Sequence, residues 1–512
     1  MQKKPTPDFA RNLHTLHENM NGTLIQFFHW YLPGNGFLYR KLQREATRLA
    51  DMGITSVWLP PAYKADSGAD SVGYDCYDLY DLGEFEQKGT TATKYGTKEE
   101  YLKAIKTLKD NGLRVMADIV LNHKAGGDEL ETFTVVQVDE DDRTKVITEP
   151  FEISSYTKFT FPGRGEQYSA FKWDFNCFVG VDYDEGGREG IFRILNEYGD
   201  DWDDMVSDEK GNYDFLMFND IEHRNPYVLD ELDRWAKWYH DTIGFDSVRL
   251  DAVKHISPQF FCRWLGNLRE ATGEEIFAVG EYWAPGRLSV LTDYLEATEG
   301  CMSLFDSSLQ ANFHFASKSK DYDLRLILKD SLVSVAPDKA VTLVSNHDTQ
   351  PLQALEATVD PWFKPIAYAI ILLRRDGYPC VFYPDLYGTE YTDTGSDGDE
   401  YDISMPPIEG LETLIRLRKD YAYGEQRDYF DEVHCIGWTR SGDDEHDGCA
   451  VVISNQSPSG RRMEIGQRYA GRKFRDAMEK HELLVTVEDD GWADFPAPAE
   501  SVSVWIPAEN ND

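Results

Sequence analysis

The sequence contains no uninterrupted apolar run of about 18 residues, so no segment is long enough to cross a bilayer as a helix. Residues 1–26 pass through Lys3, Lys4, Asp8, Arg11, His14 and Glu18 without an apolar core, which excludes a recognisable secretion leader there. Cysteine is sparse. The seven (76, 177, 262, 301, 380, 435 and 449) are odd in number and scattered, with no CxxC pair. That pattern argues against a disulfide framework or a zinc site, and points to reduced thiols in a cytoplasm. Positive charge is also scarce: 52 Lys and Arg face 91 Asp and Glu, a net charge of −39. Such a surface repels phosphate backbones, so neither nucleic acid nor membrane is expected as a partner. Heavy acidity also keeps a protein hydrated in strong salt, and a halophilic enzyme and a merely acidic cytosolic one stay equally open. No GxGxxG or GxxxxGK[ST] run follows any strand candidate, which removes the usual nucleotide-binding folds.

What is present is a chain long enough for two or three domains, 41% hydrophobic and unusually aromatic, with 12 Trp, 28 Tyr and 27 Phe. Flat aromatic faces suit sugar rings, although any single aromatic is more often core. Between about residues 20 and 425, eight β-rich runs alternate with helical stretches. The runs are Thr23–Trp30, Ser56–Pro61, Leu113–His123, Phe245–Val253, Glu275–Trp283, Cys301–Asp306, Ala340–Asp348 and Gly377–Tyr383. Several are near-continuously apolar before turning polar, as parallel strands buried on both faces and ending at a wet rim should be. Thr97-Lys-Glu-Glu100 reads as a capping box. Asn225-Pro226, Ser257-Pro258 and Asp360-Pro361 read as caps before a first-turn proline.

The expected fold is therefore α/β, a (β/α)8 barrel formed by residues 1–123 and 226–425. Residues 124–225, far too long for a βα loop, are expected to be an inserted β-rich domain after the third strand. Residues 426–512 change to short alternating strands and are expected to form a C-terminal antiparallel β domain. Thr389–Asp402 reads as an exposed acidic loop. No internal repeat is visible, and a monomer is expected.

In such a barrel the chemistry sits where strands end. Those ends are Asn122-His123, Arg249-Leu-Asp251, Glu281 and His347-Asp348. Three carboxylates, two histidines and one arginine would converge on one rim, each acid following an apolar strand. Glycoside hydrolysis needs such a set. One carboxylic acid protonates the leaving oxygen, and a second carboxylate about 5 Å away forms a covalent intermediate with retention; a wider pair admits water and inverts. Asp251 and Glu281, on strands about 4.8 Å apart, suit the shorter spacing. Arg249, two residues before Asp251, faces the same side and would hold it ionised as a nucleophile. Glu281, beside Tyr282 and Trp283, would have a raised pKa and act as the acid. Asp348 would stabilise the oxocarbenium-like charge.

The runs DIVLNH (118–123), GFDSVRLDAVKH (244–255), VGEYW (279–283) and SNHDTQ (345–350) resemble the four signature regions of the α-amylase family, glycoside hydrolase family 13. Segments 73–85, 211–222 and 362–388 look like liquefying-type bacterial α-amylases and, more closely, their cytoplasmic relatives. The resemblance covers nearly the whole chain. It implies retaining endo-hydrolysis of α-1,4-glucosidic bonds in starch, glycogen or maltodextrins. It makes Asp251 the nucleophile, Glu281 the acid/base and Asp348 the stabiliser. Tyr74, His123, Arg249 and His347 would bind the sugar at the cleaved bond, with Lys254 and His255 on the leaving-group side. It also implies one structural Ca2+ held by Asn122, Asp214, Asp220 and the carbonyl of His255, oxygen donors that suit a hard cation. Relatives feed a linked multi-metal cluster from an acidic HFDG-like run. Here that run is CFVG (177–180), with Val179 in place of the acid and Asp203 as a remnant of the cluster, so the full multi-metal arrangement is in doubt and the number of metals beyond one Ca2+ stays open. An exo-acting glucosidase, a glucan-transferring enzyme and a non-catalytic glycan-binding barrel remain alternatives, although the last should have lost a catalytic carboxylate.

Overall fold

The computed structural model describes residues 21–508, so most of the N-terminal stretch that lacks an apolar core, residues 1–20, and the last four residues of the C-terminal region lie outside the described residues. Eight short parallel strands close into a barrel: β1 (Leu24–Gln26), β2 (Ser56–Leu59), β3 (Arg114–Ile119), β4 (Ser247–Leu250), β5 (Phe277–Gly280), β6 (Ser303–Phe305), β7 (Ala340–Leu343) and β8 (Tyr378–Phe382). Each pairs with the next, and β8 returns to β1 through Leu24–Cys380, Ile25–Val381 and Gln26–Phe382. All eight lie inside the apolar runs named above. Leu24, Ile25, Val57, Val115, Val248, Leu250, Val279, Leu304, Val341 and Val381 are each fully buried. Strands covered on both faces are mostly apolar, and the polar groups they carry, such as Asp118 and Arg249, gather toward their C-terminal ends.

The helices pack outside the barrel through apolar stripes. Lys98–Asp110 starts at the expected capping box: Thr97 accepts from the Glu100 N–H while the Glu100 carboxylate accepts from the Thr97 N–H. Pro226–Ile243 is capped by the Asn225 side chain, which accepts from the Tyr227 N–H. Pro258–Thr272 follows Ser257, but that side chain makes no capping bond. The start read at Asp360-Pro361 is displaced: the helix is Lys364–Leu373. The Asp360 carbonyl accepts from the Phe363 and Lys364 N–H groups as a turn, and the Asp360 carboxylate pairs with Lys318 instead of capping.

A six-stranded sheet fills the segment between β3 and the Pro226 helix. Its order is His123–Lys124, Asn219–Ile221, Phe178–Val181, Ile191–Ile194, Glu129–Val138 and Phe151–Lys158. The first two pair directly, Asn219 with Lys124 and Asp220 with His123. After the barrel, a second six-stranded antiparallel sheet includes Cys435–Arg440, Cys449–Ser454 and Ser501–Pro507, and the two-stranded sheet of Ser459–Glu464 and Trp492–Ala497 accompanies it.

The stretch Thr389–Asp402 is not a loop. Thr389–Thr394 and Glu400–Met405 form an antiparallel hairpin. In the first strand alternate residues (Thr389, Tyr391 and Asp393) are partly covered and their neighbours exposed. Tyr391 stacks on Tyr31 with ring centres 3.8 Å apart, and Asp393 accepts from the Tyr31 hydroxyl. The acidic outer face concealed the period-2 alternation. Among the described residues no helix is long and apolar enough to cross a membrane.

Candidate active site

The ends of β3, β4 and β5 are stitched together just beyond their last paired residues. The Asp251 N–H donates to the Ile119 carbonyl and the Glu281 N–H to the Leu250 carbonyl, both at 2.9 Å, so the ladder fixes both acids. Gly280 lets the Glu281 strand pack closely, since a Cβ there would lie 2.8 Å from Met302 Sδ. Ala252 adopts a left-handed conformation (φ 50°), which costs about 1 kcal/mol for a residue with a side chain. Its N–H donates to Glu281 Oε2 at 3.3 Å.

Arg249 organises this rim from within. Its Nη1 donates to Asp251 Oδ1 at 2.7 Å and Asp118 Oδ1 at 2.8 Å, and its Nη2 donates to Glu281 Oε2 at 2.5 Å. One planar guanidinium therefore bonds both carboxylates at once. Asp118, at the head of the DIVLNH run, was not singled out in the sequence. Its side chain is fully buried, and Oδ2 accepts from Trp58 Nε1 at 3.0 Å and the Tyr74 hydroxyl at 2.9 Å. It thus ties Arg249 to Tyr74.

Burial dominates the electrostatics. It pushes Glu281 up to about 8, against the pull of Arg249 and with repulsion from Asp348 and Asp251 adding to it. Asp348 is pushed up to about 6 for the same reason. The expectation that Arg249 holds Asp251 low is met only in sign: Arg249 draws it down, but burial outweighs that and leaves it raised. Of Glu281 and Asp348, Glu281 keeps its proton to the higher pH. His347 is lowered to about 3 by burial and Arg249, so its ring is neutral. Gln26 Nε2 lies 3.0 Å from His347 Nδ1, which assigns the ring proton to Nε2, 3.4 Å from Asp348 Oδ2.

Three aromatic groups lie nearly parallel beside these acids: Tyr74 and Trp30 (6.0 Å, 4°), and Tyr74 and His347 (5.1 Å, 15°). Trp30 was not anticipated, nor was Gln26, although both follow from the end of β1 being on the same rim. His123 Nε2 donates to the Tyr74 carbonyl at 2.8 Å, so it positions the Tyr74 backbone. Lys254 Nζ pairs with Glu209 Oε2 at 2.9 Å, and Arg287 reaches the same oxygen at 2.9 Å. An acid from the inserted sheet's segment thus meets two cations of the barrel rim. His255 Nδ1 lies 2.7 Å from the Tyr213 carbonyl, and burial lowers the ring to about 3.

The residues named for a cation form a separate cluster at the root of the insert. Asn122 Oδ1 and Asp220 Oδ2 are buried without a hydrogen-bond partner. Asp214 is pushed up to about 8 by burial, and Asp220 is raised by burial and by Asp214. Orphaned oxygens and mutually repelling buried carboxylates fit a hard cation. Among the described residues no three His, Cys, Asp or Glu side chains converge enough to hold a metal alone, so the amide oxygen and main-chain carbonyls would have to share the task. Val179 packs with Val138, Ile191, Trp202 and Phe215 in a small apolar cluster. A hydrocarbon wall stands where an acidic ligand was missing from the sequence, and Asp203 survives only as a neighbour whose N–H donates to Asp214 Oδ2.

Comparison with known proteins agrees with this geometry. Residues 47–403 match the family described as alpha amylase, catalytic domain, and residues 449–506 match alpha-amylase C-terminal. The cytoplasmic alpha-amylase of Escherichia coli (strain K12) is 48% identical over 489 residues, covering 95% of this chain and 99% of that one. An alpha-amylase of Geobacillus stearothermophilus is 46% identical, covering 95% and 87%. A solved Anoxybacillus alpha-amylase superposes with a TM-score of 0.62 at 16% identity, over 96% of this chain and 98% of that one, a likeness of fold.

Proposed function

Since the chain belongs to the α-amylase family, a retaining endo-hydrolase of α-1,4-glucosidic bonds, we propose that it cuts glycogen, starch or maltodextrins with Asp251, Glu281 and Asp348 as its catalytic residues. The observation that carries this reading is the Arg249 guanidinium bonded to Asp251 and Glu281 at once. That keeps the two acids close enough for attack and protonation on one glycosidic bond. Glu281, protonated near neutral pH, gives its proton to the leaving oxygen as Asp251 attacks the anomeric carbon. The leaving chain departs, and a water that yields a proton to Glu281 then releases the glycosyl group from Asp251. Asp348, whose Oδ2 lies 3.4 Å from Nε2 of neutral His347, offsets the positive charge that develops on the ring.

Tyr74 supplies a flat face, with His123, Arg249 and His347 around the same sugar. Lys254 and His255 stand toward the leaving chain. The barrel is assigned to residues 1–123 and 226–425, the insert to 124–225 and the C-terminal β domain to 426–512. Free cysteines and the naming of the Escherichia coli relative support a cytoplasmic monomer acting on internal glucans. The test is a product time course on amylopectin and on a maltooligosaccharide blocked at its non-reducing end, from low to molar salt. Internal cuts and an early fall in viscosity are expected; an intact blocked chain would replace this reading with an exo-acting one. Salt-dependent activity would identify a halophile, and a flat response an ordinary acidic enzyme.

One Ca2+ held by Asn122, Asp214, Asp220 and the His255 carbonyl completes the proposal. When bound it would neutralise the buried carboxylates and fasten the insert to the barrel. A chelator is expected to lower Tm by several degrees. Asp220→Asn should erase the difference between calcium and chelator while raising the Tm of the metal-free protein, because one buried repulsion is gone. An unchanged Tm on chelation, with no metal in the purified protein, would refute the site.

A further inference from the structure

The sequence offered seven unrelated cysteines, but folding brings two of them together. Cys262, in the Pro258–Thr272 helix, and Cys301, just ahead of β6, have sulfurs 3.4 Å apart. Both are partly exposed, whereas the other five are buried. We propose that Cys262 and Cys301 form a reversible dithiol–disulfide site that takes a low-molecular-weight disulfide as its co-reactant.

The contact is already within about 1.4 Å of a disulfide bond length, a closure that small side-chain rotations can supply. The surroundings favour an ordered reaction. The Cys301 thiol hydrogen-bonds to Cys262 Sγ and lowers the Cys262 pKa, with Arg269 adding to the effect. The same bond and burial raise Cys301. Arg269 Nη2 also holds the Cys301 carbonyl at 3.1 Å, which fixes the backbone of the second cysteine. The Cys262 S–H is directed at the Thr298 carbonyl 3.3 Å away, so its sulfur accepts from Cys301 and is the one placed to attack once it loses that proton. It displaces one thiolate from the small disulfide and forms a mixed disulfide. Cys301, after losing its proton, attacks the Cys262 sulfur and expels the second thiolate. Two cysteines lose two electrons and two protons, and one small disulfide becomes two thiols.

The bond would close a loop containing β5, Glu281 and the helix Leu288–Ala297, stapling the acid/base segment at both sides. Stabilisation follows from the restricted unfolded chain.

The native enzyme is to be equilibrated with oxidised glutathione, alkylated under denaturing conditions and digested without reduction for mass spectrometry. A cross-link between the Cys262 and Cys301 peptides is expected, two hydrogens lighter than their sum, with the other five cysteines alkylated. Tm should rise by several degrees and return after dithiothreitol. Cys301→Ser should stop at the glutathione adduct of Cys262 without that rise. Seven alkylated cysteines, a stable glutathione adduct in the native enzyme, or cross-links to other cysteines would each overturn the proposal. The chemical readout on the unmodified sequence decides the matter even if the variant fails to fold, and it is independent of the hydrolytic mechanism.

Discussion

Asp251→Asn is expected to lower kcat on maltooligosaccharides by on the order of 10^4 or more while leaving Tm within a few degrees of the parent. An amide of the same shape keeps the backbone bond from the Asp251 N–H to the Ile119 carbonyl, and Arg249 retains Asp118 and Glu281 as partners. What disappears is the carboxylate that bonds to the anomeric carbon, so the covalent route closes although the sugar still binds. Kinetics beside thermal melting check this. Full residual activity would remove Asp251 from the mechanism, and a collapsed Tm would show that the acid was structural.

Arg249→Met should damage both activity and stability. The guanidinium bonds to Asp118, Asp251 and Glu281, all of which are buried. Removing one partner of a buried ionic network costs about 3–5 kcal/mol, and a loss of about 10^3 in kcat is expected once nothing aligns the two acids. The pH dependence gives the cause away. Without Arg249 the folded-state pKa values of the carboxyls rise further above their ordinary values near 4. A raised folded pKa contributes stability that is complete below the unfolded pKa and is lost as pH rises through the folded one. Glu281 already stands at about 8 with Arg249 present. Parent and variant part only where a carboxyl has begun to ionise in the folded parent and is still protonated in the folded variant. The deficit in Tm should therefore be constant at low pH and grow as pH rises through about 6, where Asp348 stands, and past about 8, where Glu281 does. An equal deficit at both ends would mean that lost packing, not charge, was responsible.

The barrel was legible because its strands are unusually plain. Runs such as LRVMADIVLNH change from apolar to polar at one point, and that point is the rim. The three acids were legible for the same reason. The sequence hid whatever depends on a partner distant in the chain. Asp118 and Trp58 meet only because β2 and β3 are neighbours, and Gln26 reaches His347 only because β1 closes the circle with β8. Lys254 read as open to the leaving chain, but Glu209 of the insert pairs with it. The hairpin at Thr389–Met405 was obscured by its acidity, since solvent-facing alternates in a strand look like a charged loop until the covered residues find Tyr31. The displaced start at Lys364 has a simpler cause: an Asp-Pro pair serves a turn as well as a helix cap.

The pairing of Asn219 with Lys124 and Asp220 with His123 means that the excursion after β3 leaves the barrel and rejoins it at adjacent points. Chain added between such points hardly alters the cost of closing the barrel, because the loop is already shut by its own first ladder. The insert behaves as a cassette clipped onto a fixed frame. Evolution can lengthen it, trim it or exchange it for another, and so change what meets Lys254 and Arg287 through residues such as Glu209 without disturbing the strands that carry the acids.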